Sequence, residues 1–331
     1  MWQVWATTSG WLWTLWMFSF TSSCQRYAPI TREQCRIFFR IQQENGLFPD
    51  VWFENGKIMN QYGKPPVFPW AAAMLEKRFP DPEFRKECVE AYRRNEQFWM
   101  NERGGRAYGL FHYDAVKTEP ESYAEWVAWE SGWDNSPRWD DGCSNLFSID
   151  LNCFMVMFYR AMNELDPSSE WEEKERNLAQ KIESTLWNEE AKCYQDLDLK
   201  TGKFNGVITP ASFMPLFIGI ASQEHAAAMA EIAKEHEMPG WPSVSYKDPN
   251  FDPTGYWRGR TWLNIAYFAL KGLKNYGFAV LAEEGRATIL NFVRRTPGFI
   301  CENYNPVTGD PVGVAHFGWS SAFVIEFILN W

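Results

Sequence analysis

The chain is poor in histidine, and the few it has are not spaced as metal ligands. There are four in 331 residues, and none forms an H-E-x-x-H or H-x-H pattern: His112, His225, His236 and His316. Metal-binding imidazoles usually recur at such short spacings on one face of an element, so a histidine-based metal site is not expected. We expect neither a metal nor another cofactor.

Paired cysteines are also missing. The seven cysteines form no C-x-x-C pair and are spread along the chain: Cys24, Cys35, Cys88, Cys143, Cys153, Cys193 and Cys301. An odd, scattered set is typical of reduced thiols and not of a disulfide framework or a zinc site. It predicts an intracellular protein, so we expect a cytoplasmic location.

Positive charge is in deficit, with a formal net charge of −10. Nucleic acids and anionic membranes are bound by basic surfaces, so neither is expected as a partner. Residues 1–24 carry no charge, but they lack the basic start of a signal peptide and are too polar for a good membrane span. We predict a buried or cleft-lining helix there. The composition does not indicate an oligomeric state.

The residue in excess is tryptophan, with 19 in the chain. Tryptophan buries a large area, but its indole N–H needs a partner, so an excess favours half-wet surfaces and binding clefts. A helical core accounts for part of the set, and we expect the rest to line a cleft.

Apolar residues recur with helical spacing almost throughout the chain. Residues 151–165 form one apolar stripe, and Asp81 followed by Pro82 is typical of an N-cap with proline in the first turn. The pattern predicts helices over 10–22, 31–44, 66–78, 82–101, 122–129, 147–164, 170–187, 211–220, 223–235, 260–275, 279–296 and 317–330.

Long polar loops rich in glycine and proline separate these helices, at 45–65, 102–121, 130–146, 188–210, 238–259 and 298–316. Loops of this length in a compact domain are usually functional. A repeated order of helix, long loop, helix and short turn favours an all-α fold, an (α/α)6 toroid of paired helices with its long loops around a pocket at one end. No linker divides the chain, so we predict a single catalytic domain over residues 1–331.

The loop that begins at Glu130 is the first candidate site, because it places carboxylates between Trp133 and Trp139. Aromatic rings stack on the apolar faces of sugars and exclude water, which raises the pKa of a carboxyl so that it can still donate a proton near neutral pH. An acid in such a setting suits glycoside hydrolysis, which also needs a second acid.

Two later segments are further candidates. Glu302 lies in a turn-rich segment, where a solvated loop glutamate is the commoner explanation. Arg258 and Arg260 lie between Trp257 and Trp262, and their guanidinium groups suit fork-like hydrogen bonding to sugar hydroxyls or a carboxylate. A structural tie between loops explains these arginines equally well.

Four segments in this order, 130–140, 256–262, 302–309 and 317–321, together resemble glycoside hydrolase family 63. The resemblance covers roughly residues 40–331 and extends more distantly to the trehalase family, which shares the (α/α)6 barrel. It implies inverting hydrolysis of α-glycosides, with Asp134 as general acid and Glu302 as general base. In that mechanism the two carboxyl groups lie about 6.5–9.5 Å apart.

The resemblance and the neighbouring sequence give the expected substrate-binding residues: Trp129, Glu130, Trp133, Asn135, Trp257, Arg258, Arg260, Trp262, Tyr304, Trp319 and Lys64. Glu130 is also a rival acid, four residues before Asp134, that could tune its pKa. Lys64 replaces the Gln often found before the prolines of the family's substrate-side loop. The family's early aromatic-Trp-Asp segment is not recognisable, so the N-terminal part is shortened or atypical.

We expect a small α-glucoside or α-mannoside as substrate, of the oligosaccharide or glycosyl-glycerate type, with Arg258, Arg260 or Lys64 near an acidic aglycone. A non-catalytic carbohydrate-binding protein on the same scaffold is the alternative, and a polysaccharide lyase on an α/α toroid is a weaker one. Calcium at Asp140, Asp141 and Asp150 is less well supported than a solvated or capping role, because the regular alternation of oxygen ligands is missing.

Overall fold

A computed structural model describes residues 9–11, 28–53, 55–142, 144, 146–236 and 239–331. This part of the chain is mostly helical. Its α-helices are α1 (Ala28–Ile41), α2 (Phe68–Arg78), α3 (Pro82–Glu102), α4 (Gly105–Tyr108), α5 (Pro120–Ser131), α6 (Ile149–Leu165), α7 (Ser169–Thr185), α8 (Met214–Phe217), α9 (Gln223–Glu235), α10 (Leu263–Asn275), α11 (Ala279–Arg294) and α12 (Gly318–Leu329). Short 3-10 helices cover Pro137–Trp139 and Pro210–Phe213.

The strands are short and antiparallel. They are β1 (Ser9–Trp11), β2 (Val51–Phe53), β3 (Ile58–Met59), β4 (Leu146–Phe147), β5 (Trp187–Asn188), β6 (Cys193–Tyr194), β7 (Leu197–Asp198), β8 (Cys301–Tyr304) and β9 (Pro311–Ala315). The pairings are β1–β2–β3, β4–β7, β5–β6 and β8–β9. These small sheets lie in the connections between helices and shape the loops that carry the candidate site.

Most predicted helices are present, with ends displaced by a few residues. The start at Asp81 is confirmed, because its carboxylate accepts hydrogen bonds from the backbone N–H groups of Glu83 and Phe84. The range 211–220 is wrong as one helix, because the structure divides it between a 3-10 turn and α8. Of the helix predicted over 10–22, residues 12–22 lie outside the described residues, and residues 10–11 belong to β1.

Helices α6 and α10 are apolar around almost their whole circumference, which is typical of a central helix. Helix α6 packs against α7, α2 and α3, and α10 packs against α11, α8 and α12. By contrast, α7 buries only Trp171, Leu178 and Ile182 and turns charged residues to solvent. An inner helix paired with an outer one thus recurs in the two halves of the chain.

No described helix combines the length and the hydropathy that a bilayer crossing needs. The cysteines that the structure describes are all buried, and none of them forms a disulfide: Cys35, Cys88, Cys153, Cys193 and Cys301.

Candidate active site

Glu130, near the end of α5, is held entirely by neighbouring protein groups. Arg103 donates to both carboxylate oxygens at 2.8 Å, and the backbone N–H groups of Gly63 and Asp114 donate at 3.1 and 2.9 Å. The side chain has no exposed surface. These contacts support a structural role for Glu130, and its roles as a substrate-binding residue and as a rival acid stay predictions. It ties three segments together behind the site, and a fully paired buried carboxylate of this kind is structural.

Asp134 lies just after α5, where Gly132 turns the chain with a φ of 76°. It is half-buried, and burial raises the pKa of its carboxyl. The charge of Lys64 opposes this rise, and the negative charge of Glu302 adds to it. The structure therefore brings Asp134 within electrostatic reach of Glu302, and it favours the protonated form that a general acid needs.

The loop that carries Asp134 is anchored by Arg138, whose structural role was not predicted. Its guanidinium bonds Asp150 at 2.7 and 3.1 Å and Asp196 at 2.8 and 2.9 Å. It also lies 4.9 Å from the ring centre of Trp133 and 4.5 Å from that of Trp139. One buried cation thus joins the loop to the start of α6 and to the turn between β6 and β7.

Lys64 is close enough for its charge to act on Asp134, and it is almost fully buried. Its Nζ donates to the backbone carbonyl of Trp129 and lies 3.6 Å from Oδ1 of Asp50. Asp50 has no exposed surface, and burial raises its pKa to about 6 even though Lys64 and Tyr62 act to lower it. Asp50 was missed, because an isolated aspartate after proline resembles any loop residue.

Glu302 lies in β8, not in an open loop, and only 9% of its surface is exposed. The phenol of Tyr256 donates to Oε1 at 2.6 Å, and the N–H of Val314 in β9 donates to Oε2 at 3.4 Å. Ser320, in the first turn of α12, donates to the Glu302 carbonyl at 2.6 Å. The solvated alternative is therefore excluded, because donors on three segments fix this residue.

Tyr256 is the functional residue that sequence reasoning passed over, although it lies in the matched segment 256–262. Burial raises the pKa of its phenol, and the hydrogen bond to Glu302 raises it further. The negative charge of Asp134 acts in the same direction, so the phenol is close to both candidate acids. Its position next to Trp257 in the sequence is the feature that could have identified it.

A wall of indole rings lies beside the two acids. Trp133 lies 5.0 Å from Trp257, which stacks on Trp262 at 4.0 Å with an interplanar angle of 5°. Trp319 lies 5.5 Å from Trp262 and is half-buried, as is Trp129. The wall joins the loop after α5 to the segment before α10 and to α12.

Two further residues predicted to bind substrate are buried. Trp262 is 2% exposed, and its indole N–H donates to the Tyr256 carbonyl at 2.8 Å. Tyr304 has no exposed surface, and its hydroxyl accepts from the backbone N–H of Cys301 at 3.2 Å. These bonds support Tyr256 and β8, and direct sugar contact stays a prediction for both residues.

Arg258 and Asn135 connect the same two loops. Arg258 forms a bidentate pair with Asp140 at 2.8 and 2.8 Å, and also donates to the Asn135 carbonyl at 3.2 Å. The Asn135 side chain accepts from the backbone N–H of Trp257 at 2.9 Å. The structural explanation thus holds for Arg258. Asp140, considered above for calcium, is occupied by this arginine, as Asp150 is by Arg138.

A small apolar cavity of about 10 Å³ lies deeper in the helical core. Trp133, Trp257 and Trp319 contribute to its lining, together with Phe154 and Phe268, but neither candidate acid does. Because a single water needs about this volume, the cavity is a packing void behind the indole wall and not a sugar site.

Comparison with known proteins agrees with these segments. The family profile described as "Mannosylglycerate hydrolase MGH1-like glycoside hydrolase domain" matches residues 9–148 and 160–320. A mannosylglycerate hydrolase of Thermus thermophilus is 38% identical over 143 residues, which is 42% of this chain and 34% of that protein. A periplasmic trehalase of Escherichia coli is 26% identical over 226 residues, 60% of this chain and 39% of that one. The chain thus aligns with little more than a third of the length of these relatives.

Among solved structures, a glycoside hydrolase family 63 mannosylglycerate hydrolase, also of Thermus thermophilus and in complex with glucose, has the same fold. Its TM-score is 0.81 at 23% identity, over 98% of this chain and 93% of that one. The resemblance to glycoside hydrolase family 63, with its distant trehalase link, is confirmed. From the profile match and the order of the site segments, the chain belongs to the mannosylglycerate hydrolase MGH1-like glycoside hydrolase family.

Proposed function

We propose that this protein hydrolyses a small α-glycoside of the glycosyl-glycerate type with inversion of anomeric configuration. The observation that carries the proposal is the pairing of Asp134 with Glu302. They lie on separate segments, their charges interact, and both act on the same tyrosine, Tyr256. Two carboxyl groups in different environments beside aromatic rings suit glycoside hydrolysis.

The two acids take different roles because their surroundings differ. Asp134 is desolvated and protonates the leaving oxygen. Glu302 is oriented by Tyr256 and Val314 and removes a proton from the attacking water on the opposite face of the sugar. We expect about 6.5–9.5 Å between their carboxyl groups, the separation that leaves room for this water.

The scaffold that we propose is an (α/α)6 toroid in which residues 1–331 form one catalytic domain. The inner helices α6 and α10, each packed against an outer helix, support this arrangement. The site residues lie in the connections after α5, before α10 and before α12, consistent with loops gathered at one end of the ring.

The substrate class follows from family membership and from the relatives named for mannosylglycerate hydrolysis. We propose a glucosyl or mannosyl unit joined to a small aglycone, bound against Trp129 and Trp319, which are half-buried. A carbohydrate that binds without turnover would instead favour the alternative of a non-catalytic binding protein.

The decisive experiment is hydrolysis of α-glucosyl- and α-mannosyl-glycerate with the product anomer followed by NMR. The first-formed sugar should be the β-anomer, and an α-anomer would contradict the inverting mechanism. Asp134→Asn should lose activity on the glycerate glycoside but keep activity on the α-glycosyl fluoride, because fluoride leaves without a proton. Glu302→Gln should lose activity on both substrates. The exposed Asp141 gives the matched control, Asp141→Asn, which should keep activity on both.

A further inference from the structure

Three cationic side chains close to the site differ in how their charge is balanced. Arg258 forms a bidentate ion pair with Asp140, and Lys64 lies 3.6 Å from Asp50. Arg260 has no carboxylate within 4.0 Å among the described residues. Its charge acts on the exposed Asp252, whose carboxylate accepts hydrogen bonds from the backbone N–H and hydroxyl of Thr254.

The Arg260 guanidinium is held by two of its three nitrogens. Its Nε donates to the Thr254 carbonyl at 2.9 Å, and Nη1 lies 3.4 Å from Oδ1 of Asn303. The group lies over the Tyr256 ring, 5.7 Å from its centre. The third nitrogen, Nη2, has no acceptor within the described residues, and the side chain is half-exposed.

Two of the three residues that contact the Arg260 guanidinium, Asn303 and Tyr256, are neighbours of the candidate base. Asn303 follows Glu302 in β8, and Tyr256 donates to the Glu302 carboxylate at 2.6 Å. The Asn303 side-chain amide is buried, and its Nδ2 donor also lacks an acceptor in this part of the protein. An oriented guanidinium with Nη2 unused, beside an unused amide donor, fits a ligand that is rich in acceptors.

We propose that Arg260 binds the carboxylate of an acidic aglycone and makes the protein selective for anionic glycosides. This inference rests on the proposed hydrolysis and names the residue that would determine its specificity. A guanidinium edge matches a carboxylate with two parallel N–H···O bonds. In a protein with a net charge of −10, an anionic substrate also needs a local cation to offset the general repulsion.

The test compares two substrates that differ only in charge: the α-glycosyl-glycerate and the α-glycosyl-glycerol with the same sugar. Wild-type protein should prefer the glycerate. Arg260→Gln should raise KM for the glycerate about 10- to 100-fold, the effect of losing a charged hydrogen-bonding partner, and leave KM for the glycerol unchanged. Arg260→Lys keeps the charge but not the fork, so it should recover part of the preference.

Arg258→Gln is the matched control, because Asp140 already neutralises that guanidinium. It should change kcat/KM for both substrates by the same factor. If Arg260→Gln also acts equally on both, Arg260 only shapes its loop and the inference is overturned while the proposed hydrolysis stands. If wild-type protein hydrolyses neither glycoside nor the α-glycosyl fluoride, the proposed function falls, and the inference falls with it.

Discussion

The phenol of Tyr256 and the carboxylate of Glu302 are joined by a hydrogen bond of 2.6 Å that spans 46 residues of sequence. It connects the segment before α10 to strand β8, and the Tyr256 backbone carbonyl in turn accepts from Trp262. The bond therefore fixes the candidate base relative to the indole wall. A tyrosine in this position acts on the reaction by orienting the base.

Tyr256→Phe should lower kcat by about 10- to 100-fold, because a hydrogen bond to a charged group contributes about 1.5–3 kcal/mol. The ring, and with it the packing on Trp262, is kept. Steady-state kinetics on the glycerate glycoside measures the effect. Tyr246→Phe is the matched control, since the Tyr246 hydroxyl donates only to the Pro239 carbonyl at 3.0 Å. Equal effects of the two variants would contradict a special role for Tyr256.

Gly313 in β9 lies directly against the Glu302 side chain. It has a φ of 75°, and an added Cβ would overlap with Oε2 of Glu302 and lie 2.9 Å from its Cβ. Gly313→Ala should therefore displace the carboxylate and reduce kcat/KM by at least about tenfold, since small misplacements of catalytic groups are costly.

Gly202→Ala separates this effect from backbone strain. Gly202 has a similar φ of 65°, and a Cβ there would meet nothing within 4 Å. Both variants should lose a comparable free energy of unfolding, roughly 1–2 kcal/mol for a left-handed alanine, measured by denaturant titration. Full activity in both would show that β9 does not position Glu302.

The helices and the two acids could be predicted from sequence because their signals are local. Apolar residues repeat every three to four positions in α6 and α10, and Asp134 and Glu302 lie in motifs of consecutive residues. Hairpin β8–β9 gave no such signal. All four residues of β8 are buried, so it lacks the alternation that marks a strand with one exposed face.

The partners of the site residues could not be predicted, because each depends on a contact between distant segments. The Arg103–Glu130 pair spans 27 residues, the Arg138–Asp196 pair spans 58, and the Asp50–Lys64 pair connects two loops. The prediction of Glu130 as a substrate ligand was made without knowledge of these contacts. Its place beside Asp134 in sequence is visible, whereas the donors that occupy it appear only in the fold.

Arg138 should contribute strongly to stability. Its removal leaves Asp150 and Asp196 buried without their common cation, and breaking such a pair costs about 3–5 kcal/mol. Arg138→Ala should therefore lower the free energy of unfolding by about that amount in denaturant titrations. Arg93→Ala is the control, because its pair with Asp166 is 43% and 41% exposed and should be worth about 0–1 kcal/mol. Similar losses in both would rule out the anchoring role.

The charge balance around Asp134 gives a prediction for pH dependence. As a general acid, Asp134 must be protonated, so kcat/KM should fall when the pH rises through its pKa, which burial holds above the usual value. The positive charge of Lys64 lowers that pKa. Lys64→Met should therefore move the alkaline limb of the pH profile of kcat/KM to higher pH.

Asp50→Asn should move the same limb in the opposite direction. The pKa of Asp50 is about 6, so above that pH its carboxylate is ionised and offsets Lys64. Its negative charge also favours the proton on Asp134. Losing that charge leaves Lys64 uncompensated, which lowers the pKa of Asp134 and moves the alkaline limb to lower pH.

In the double variant the alkaline limb should lie between those of the two single variants, because both charges are then gone. Lys57→Met, at an exposed lysine, is the control and should not shift the limb. Shifts of the same sign in both single variants would mean that the pair supports the loop without setting the charge on the acid.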